Sequence, residues 1–193
     1  MFNVYNFLIY IFVTAYTPGP NNIMSMSNAV RYGFKKSFPF NLGILVGFSI
    51  IMQICTLLST IIFAHISQAR IYMQVMGACY MLYLAWQIWK SSAEIEVEET
   101  KGAGFMAGFT LQFLNPKLYF YAFTSMSTFI LPYFHSTLTL VGIALFLAFF
   151  GFTGSVAWLV FGSVFSKMLS KRAKIVNPIL ALLLVYCALS LFL

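Results

Sequence analysis

The fold is decided by the stretch NVYNFLIYIFVTAYTPGPNNIMSMSNAV, which occupies residues 3–30. Its 28 residues include no charged side chain, and an apolar helix needs only ~20 residues to cross the hydrocarbon core of a membrane. Near the middle, Pro18 and Pro20 remove two backbone donors, and Gly19 between them supplies a flexible hinge. The stretch therefore predicts a membrane-spanning helix that is interrupted near its centre.

The composition of the whole chain extends this prediction to an integral membrane protein. Of 193 residues, 61% are apolar and 8% are charged, whereas soluble domains carry roughly 25% charged residues. The apolar runs are continuous and lack the in–out alternation of a β-barrel, so they indicate helices. Six such spans fill the chain and leave no soluble domain. We place them at 3–30, 39–64, 70–90, 104–130, 137–165 and 174–193.

The two halves of the chain repeat the same order of spans. The break at Pro20 recurs at Pro116, 96 residues later, and the other spans recur at an offset of about one hundred residues. Since each half has three spans, the halves have opposite orientations, and proline breaks at matching positions point to a transporter's central site. The sequence predicts one all-α membrane domain, 1–193, built as two inverted three-helix repeats. These are repeat A at about 1–92, an acidic linker at about 93–102, and repeat B at about 103–193.

Basic residues are concentrated on one side of the predicted spans. The connections after the first, third and fifth spans hold nine lysine or arginine residues, and the opposite side holds Arg70 alone. The positive-inside rule therefore puts the basic connections in the cytoplasm and both termini outside, as in a multi-pass membrane protein. The net charge of +7 then reflects loop placement and not a nucleic-acid partner.

The first break has the residues of a binding cavity. Freed carbonyls and amides at membrane depth are tolerated only where protein or a water-filled cavity satisfies them. Asn21 and Asn22 add amide donors and acceptors directly beside the Pro18-Gly19-Pro20 break. The alternative is an ordinary proline kink, but two prolines, a glycine and two asparagines are more than a kink needs. We therefore predict a cavity lined by these five residues.

The second break, Asn115-Pro116, is followed by Lys117, the one charged residue in the interior of a predicted span. Lys117 lies 13 residues after Gly104, or about 20 Å along a helix, which is nearer the midplane than the interface. The alternative is a side chain that extends to the cytoplasmic interface. Since no carboxylate lies within a predicted span, a midplane lysine suits a carboxylate-bearing substrate. Asn115, Pro116 and Lys117 are the second set of predicted site residues.

The acidic residues exclude several classes of protein. All four, Glu94, Glu96, Glu98 and Glu99, fall in the predicted linker. The spans therefore offer no carboxylate cage for a hard divalent cation and no acid for a catalytic triad or dyad. A Gly-rich phosphate loop is also missing. The sequence predicts a protein that is not an enzyme, without catalytic residues, a resident metal or a cofactor.

Two further patterns concern packing. Cys55, Cys79 and Cys187 lie in apolar runs without a C-x-x-C pair, which predicts buried, inert thiols and neither a disulfide framework nor a metal site. The pairs Gly43/Gly47 and Gly104/Gly108 have G-x-x-x-G spacing, which lets helices approach closely. We expect this packing within one protomer.

Several motifs carry a family resemblance. TPGPNN at 17–22, GACYMLYLAW at 77–86 and QFLNPK at 112–117 resemble the patterns of the first, third and fourth helices in the LysE/RhtB family of amino-acid exporters. The resemblance runs over essentially the whole chain. It implies efflux of an amino acid from a bacterial cytoplasm, driven by a proton or sodium gradient. Carried over by position, it selects Pro18 to Asn21 and Asn115 to Lys117 as functional residues.

A finer resemblance concerns the cargo. STFILP at 127–132 and ALLLVYC at 181–187 are similar to the subgroup that exports cysteine and O-acetylserine. The sixth span lacks the glycine that many members have there, so its packing does not follow from the family. We expect a secondary exporter of small neutral amino acids, with cysteine or O-acetylserine as cargo. The alternatives are export of threonine- or homoserine-type amino acids and an accessory membrane subunit. The sequence leaves the coupling ion and a homo-oligomer open.

Overall fold

The computed structural model describes residues 4–61, 66–91 and 104–189. Within these ranges every regular element is helical, so the prediction of an all-α protein is confirmed. The predicted linker at 93–102 lies outside the described residues. The elements are α1 (Val4–Tyr16), α2 (Pro20–Ile61), α3 (Ile66–Ser91), α4 (Phe105–Leu114), α5 (Pro116–Thr124), a π-helical turn (Ser125–Ile130), α6 (Thr137–Val164), α7 (Ser166–Lys171) and α8 (Ala173–Leu189).

Both predicted breaks are present. The first predicted span consists of α1 and the beginning of α2, separated by residues 17–19. The fourth consists of α4, α5 and the π-helical turn, with Asn115 between α4 and α5 in an extended conformation. Proline is the first residue of the second half of each broken span. It fits there because the N–H of a helix's first residue has no intrahelical acceptor.

The boundary between the first two spans differs from the prediction. α2 continues through both and changes direction at Gly33, which has φ 77°. That left-handed conformation is readily adopted only by glycine. The second span therefore starts directly after Gly33, several residues before the predicted boundary at 39. Pro39 lies inside α2, where it costs a backbone hydrogen bond without ending the helix.

Two of the described helices are by themselves long and apolar enough to cross a membrane, over Pro20–Leu58 and Thr137–Val164. Shorter apolar helices cover Val4–Tyr16, Phe105–Leu114 and Lys174–Leu189. The breaks explain part of this shortness, since α1 and α4 are each the first half of an interrupted apolar segment. Large apolar side chains are exposed on several helices, including Phe12 on α1 and Phe149 on α6.

α2 is the centre of the bundle, packing against α4 and α6, while α3 pairs with α8. The crossing of α2 and α4 depends on glycine. A Cβ on Gly43 would overlap the carbonyl of Phe105, and one on Gly108 would overlap that of Phe40. Gly47 faces Gln112 in the same crossing. The predicted packing within one protomer is confirmed for these three glycines. It is wrong for Gly104, where an added Cβ would meet no neighbour within 4 Å.

Candidate functional site

The interrupted end of α1 is the first component of the site. The carbonyls released by the break all have partners. The Asn22 Nδ2 donates to the carbonyl oxygens of Ala15 and Thr17, both at 2.8 Å, and the Trp158 Nε1 donates to that of Tyr16 at 3.0 Å. Side chains from α2 and α6 thus take over the hydrogen bonds that helix continuation would supply.

Lys117, the second residue of α5, completes this set. Its Nζ donates to the carbonyl oxygen of Thr17 at 3.0 Å, to the Thr17 Oγ1 at 3.0 Å and to the carbonyl oxygen of Pro18 at 3.1 Å. A cation is favourable here because the carbonyl end of a helix carries partial negative charge. Lys117 therefore joins the two broken spans and does not extend to the cytoplasmic interface.

Gly19 makes room for this contact. A Cβ on Gly19 would lie 2.8 Å from the Lys117 Cδ and 3.0 Å from its Nζ, closer than such atoms normally approach. The sequence predicted Gly19 as a hinge. The structure adds that a Cβ at this position would displace the lysine side chain from its present place.

An amide cluster joins the start of α2 to the end of α4. The Asn21 Nδ2 donates to the Gln112 Oε1 at 2.8 Å, and the Gln112 Nε2 donates back to the Asn21 Oδ1 at 3.0 Å. The Asn115 Nδ2 also donates to the Asn21 Oδ1, at 3.2 Å. Gln112 is fully buried and was missed as a site residue. The sequence did contain a signal for it, namely a glutamine inside an apolar span, because such polar residues usually face the bundle interior.

These elements surround a half-open pocket, which we call the central cleft. Its volume is about 370 Å³ when the open solvent at its mouth is included. Six of the eight predicted site residues line it: Gly19, Pro20, Asn21, Asn22, Asn115 and Lys117. Pro18 and Pro116 do not. The carbonyl of Pro18 is bound by Lys117, and Pro116 is buried at the start of α5.

Residues that sequence reasoning missed complete the wall of the central cleft. Ser155 on α6 donates its hydroxyl to the Asn22 Oδ1 at 3.2 Å. Phe48 and Tyr121 also line the cleft, and their rings meet edge to face with centroids 5.7 Å apart. Composition does not distinguish these aromatic residues from the many that face outward, because only the packing of α2, α5 and α6 selects them.

The polar groups of the central cleft suit a zwitterion. Residues of the first turns of α2 and α5 line it, and helix N-termini attract anions through their partial positive charge and free N–H groups. The Asn115 Oδ1 is buried and has no hydrogen-bond partner, so it is available to accept from a cation. The cleft thus offers both anion-binding and cation-binding groups.

The cysteines differ in their surroundings. All three are free thiols. Cys55 is buried as predicted, but Cys79 is exposed and Cys187 is half-buried, with its Sγ 3.8 Å from the carbonyl oxygen of Pro18. The prediction of three buried thiols was wrong because an apolar span has an outward face that composition does not reveal. Within the described ranges, no three His, Cys, Asp or Glu side chains come together as a metal-ligand set.

Comparison with known proteins adds an independent observation. Residues 12–193 match the family model of the LysE type translocator. The chain belongs to the LysE-type translocator family. This LysE-type translocator is 38% identical, over 187 residues, to the cysteine/O-acetylserine efflux proteins of Escherichia coli K12 and Shigella flexneri serotype 5b. The alignment covers 96% of this chain and 95% of each relative. No solved structure matches the chain.

The family assignment confirms the resemblance drawn from TPGPNN and QFLNPK. Together with the exposed apolar helices, it identifies this LysE-type translocator as a membrane protein with a transport function. The comparisons do not assign a function to individual residues. The roles of Asn21, Asn115 and Lys117 in substrate binding therefore stay predictions.

Proposed function

We propose that this LysE-type translocator is a secondary exporter of small neutral amino acids, with cysteine and O-acetylserine as its main cargo. The names of the similar efflux proteins support this cargo. The observation that carries the proposal is the convergence of both broken spans on the central cleft, where Lys117 binds the end of α1.

The substrate's carboxylate binds at the helix N-termini of α2 and α5 and attracts the ammonium of Lys117. A carboxylate is a stronger partner for this ammonium than a neutral carbonyl is. When Lys117 turns to the carboxylate, the carbonyls of Thr17 and Pro18 lose its ammonium as a donor, and the Thr17 carbonyl keeps only the Asn22 Nδ2. The substrate's ammonium then replaces the Lys117 ammonium as donor to these carbonyls. The Asn115 Oδ1 is a further acceptor for it. Every polar group keeps a partner during this exchange, which a buried site requires.

The exchange also explains how substrate binding moves the protein. Lys117 connects α5 to the end of α1 only while it donates to Thr17 and Pro18. Substrate binding releases this connection, so the two halves can rock around the cleft and expose it to the other side. A ligand shifts such an equilibrium by its difference in affinity for the two states.

The charges select a neutral amino acid. The described part of the chain contains no Asp or Glu, since all four glutamates lie at 94–99. The second cation of lysine or arginine would therefore have no anionic partner in the central cleft. Uncompensated charge at membrane depth is costly, which disfavours these two as cargo.

The architecture that we propose has six spans in two inverted three-helix repeats. Support comes from the matching breaks, at residues 17–19 in one half and at Asn115 in the other. The excess of basic residues in the connections after the odd spans places these connections in the cytoplasm and both termini outside. The membrane is the bacterial inner membrane. A proton or sodium gradient drives export.

Two other interpretations make different predictions. An exporter of threonine- or homoserine-type amino acids would use the same cleft and differ only in cargo preference. An accessory subunit would transport nothing and would tolerate changes of Asn21 or Lys117. The names of the similar proteins favour the exporter of cysteine and O-acetylserine.

The test is uptake of radiolabelled cysteine, O-acetylserine, threonine and lysine into inside-out vesicles that contain the wild-type chain. Imposed proton and sodium gradients are applied separately, and vesicles without the chain are the control. We expect saturable uptake of cysteine and O-acetylserine and none of lysine. Preferred uptake of threonine would support the alternative exporter. Absence of uptake for every amino acid would contradict the proposal and favour the accessory subunit.

A further inference from the structure

A second and larger pocket lies between the beginning of α2, the end of α3 and α4, with a volume of about 970 Å³ when the open solvent at its mouth is included. We call it the inner cleft. It shares no lining residue with the central cleft. Its polar lining residues are Ser27, Asn28, Arg31, Tyr32, Tyr83, Gln87 and Thr110. In the proposed orientation these residues belong to the cytoplasmic halves of their spans.

Asn28 is the first sign of a ligand in the inner cleft. This side chain is only 6% exposed, and its Nδ2 has no hydrogen-bond partner. A buried polar donor without a partner costs free energy, and native structures rarely leave one unexplained. An acceptor supplied by a bound molecule would satisfy it.

Arg31 supplies the charge. It follows Asn28 by three residues, which places both side chains on one face of a helix, and both line the inner cleft. The Arg31 guanidinium lies 5.2 Å from the ring centroid of Tyr32. No carboxylate occurs in the described part of the chain to pair with it. A planar guanidinium beside an amide donor matches the two oxygens of a carboxylate.

Polar side chains connect the inner cleft to the central cleft. Asn21, Ser25 and Asn28 have the spacing of one helix face, and all three are buried. Ser25 lies between the two clefts, and its Oγ donates to the Asn41 Oδ1 at 2.9 Å. The reciprocal amide pair joins Asn21, which lines the central cleft, to the buried Gln112. A polar substrate could therefore pass along this face once the amide pair opens.

We propose that the inner cleft is a second binding site, which takes a zwitterionic amino acid by its carboxylate before that molecule enters the central cleft. This inference rests on the proposed function, because it assigns the same cargo to both clefts. Arg31 and the Asn28 Nδ2 bind the carboxylate. The amide pair of Asn21 and Gln112 separates the two sites while the inner one fills.

The first test measures uptake of O-acetylserine into inside-out vesicles, whose outer surface is the cytoplasmic face. The variants are Arg31→Gln and Asn28→Leu, and each should raise KM about tenfold, the loss expected when a hydrogen bond to a charged group is removed. The maximal rate should change little, because the central cleft is intact. Lys35→Gln is the matched control, since it removes one positive charge from the same end of α2 without lining the inner cleft. An unchanged KM in both variants, at normal protein level, would overturn the proposal.

The second test locates the bound molecule. Ser27 lines the inner cleft and is half-buried, so Ser27→Cys, in a chain whose three native cysteines are changed to serine, places a thiol in the site. A membrane-impermeant maleimide should label it, and O-acetylserine at ~10 times its dissociation constant should slow labelling about tenfold. The same protection should persist when Lys117→Ala is added. Loss of protection in that background would show that it arises at the central cleft, and would overturn the proposal.

The remaining outcomes separate the two proposals. If the wild-type chain transports O-acetylserine and Ser27→Cys is not protected, the proposed function stands and the inner site is wrong. The four linker glutamates are also changed to glutamine in the Ser27→Cys chain. If this change speeds maleimide labelling of the new thiol, and O-acetylserine still does not slow it, the linker occupies the inner cleft. The proposed amino-acid site is then wrong as well. If the wild-type chain transports none of the amino acids, the proposed function itself has failed.

Discussion

The Nζ of Lys117 lies 3.0 Å from the carbonyl oxygen of Thr17, a residue one hundred positions earlier in the chain. This contact joins the two proline breaks, one from each half. It places a positive charge at the end of α1, where partial negative charge accumulates. In the proposed mechanism, the substrate's carboxylate competes with Thr17 for this ammonium, so the contact is both a structural bond and the point at which substrate acts.

Gly19→Ala tests whether the close approach of Lys117 matters. The new Cβ would lie 2.8 Å from the Lys117 Cδ, so the lysine must move away from Thr17. We expect at least a tenfold loss of kcat/KM for O-acetylserine, equivalent to roughly 1.4 kcal/mol, at normal protein level. Gly142→Ala is the control, because nothing lies within 4 Å of its Cβ position. Equal transport by the two variants would contradict the role of this contact.

The amide pair of Asn21 and Gln112 makes a prediction about stability. Gln112→Leu leaves a buried amide of Asn21 with fewer partners and should lower the free energy of unfolding by about 1–3 kcal/mol. Asn21→Leu should do the same. The double variant should lose less than the sum of the two, since both polar groups are then gone. Thermal unfolding in detergent of the four chains measures this cycle, and strict additivity would argue against the pair.

The crossing of α2 and α4 predicts a graded effect of alanine substitutions. A Cβ on Gly108 would overlap the backbone of Phe40, which a side-chain rearrangement cannot relieve. Gly108→Ala should therefore destabilise the protein by roughly 1–3 kcal/mol, as overpacking does. Gly104→Ala, in the same motif, has an open Cβ position and should be close to neutral. The midpoint of thermal unfolding compares the two, and a similar loss in both would disprove the assigned contact.

The orientation can be tested by labelling single cysteines with an impermeant maleimide. Leu138 is 83% exposed near the start of α6, which lies outside in the proposed topology. Lys35 is exposed near the kink of α2, which lies in the cytoplasm. We expect Leu138→Cys to react in right-side-out vesicles and Lys35→Cys to react in inside-out vesicles. The reverse pattern would mean that both termini are in the cytoplasm.

The breaks were predictable because their cause is local. Pro18, Pro20 and Pro116 lack the backbone N–H that a helical ladder uses, and the structure interrupts the spans at these sites, whereas Pro39 alone does not end α2. The kink at Gly33 was missed, although it depends on one residue, because a glycine within a polar connection does not reveal its φ. Only the structure shows that it adopts a left-handed conformation.

The partners across the site could not be predicted, since they depend on packing between distant segments. Lys117 was expected to contact a substrate, which stays a prediction, but its hydrogen bonds to Thr17 and Pro18 were not expected. Gln112 looked like one polar residue in an apolar span, but the crossing at Gly108 turns it toward Asn21. The exposure of Cys79 could not be predicted for the same reason, because the packing of neighbouring helices decides which face of a span is buried.

The central claim is that Lys117 exchanges the end of α1 for the substrate's carboxylate. It is tested most directly by uptake of radiolabelled O-acetylserine into inside-out vesicles that contain the wild-type chain, Lys117→Ala or the control Lys35→Ala, at matched protein levels. The account predicts that Lys117→Ala lowers kcat/KM at least 100-fold, which corresponds to about 2.7 kcal/mol, while Lys35→Ala keeps wild-type transport. Wild-type kinetics in a correctly folded Lys117→Ala chain would contradict it.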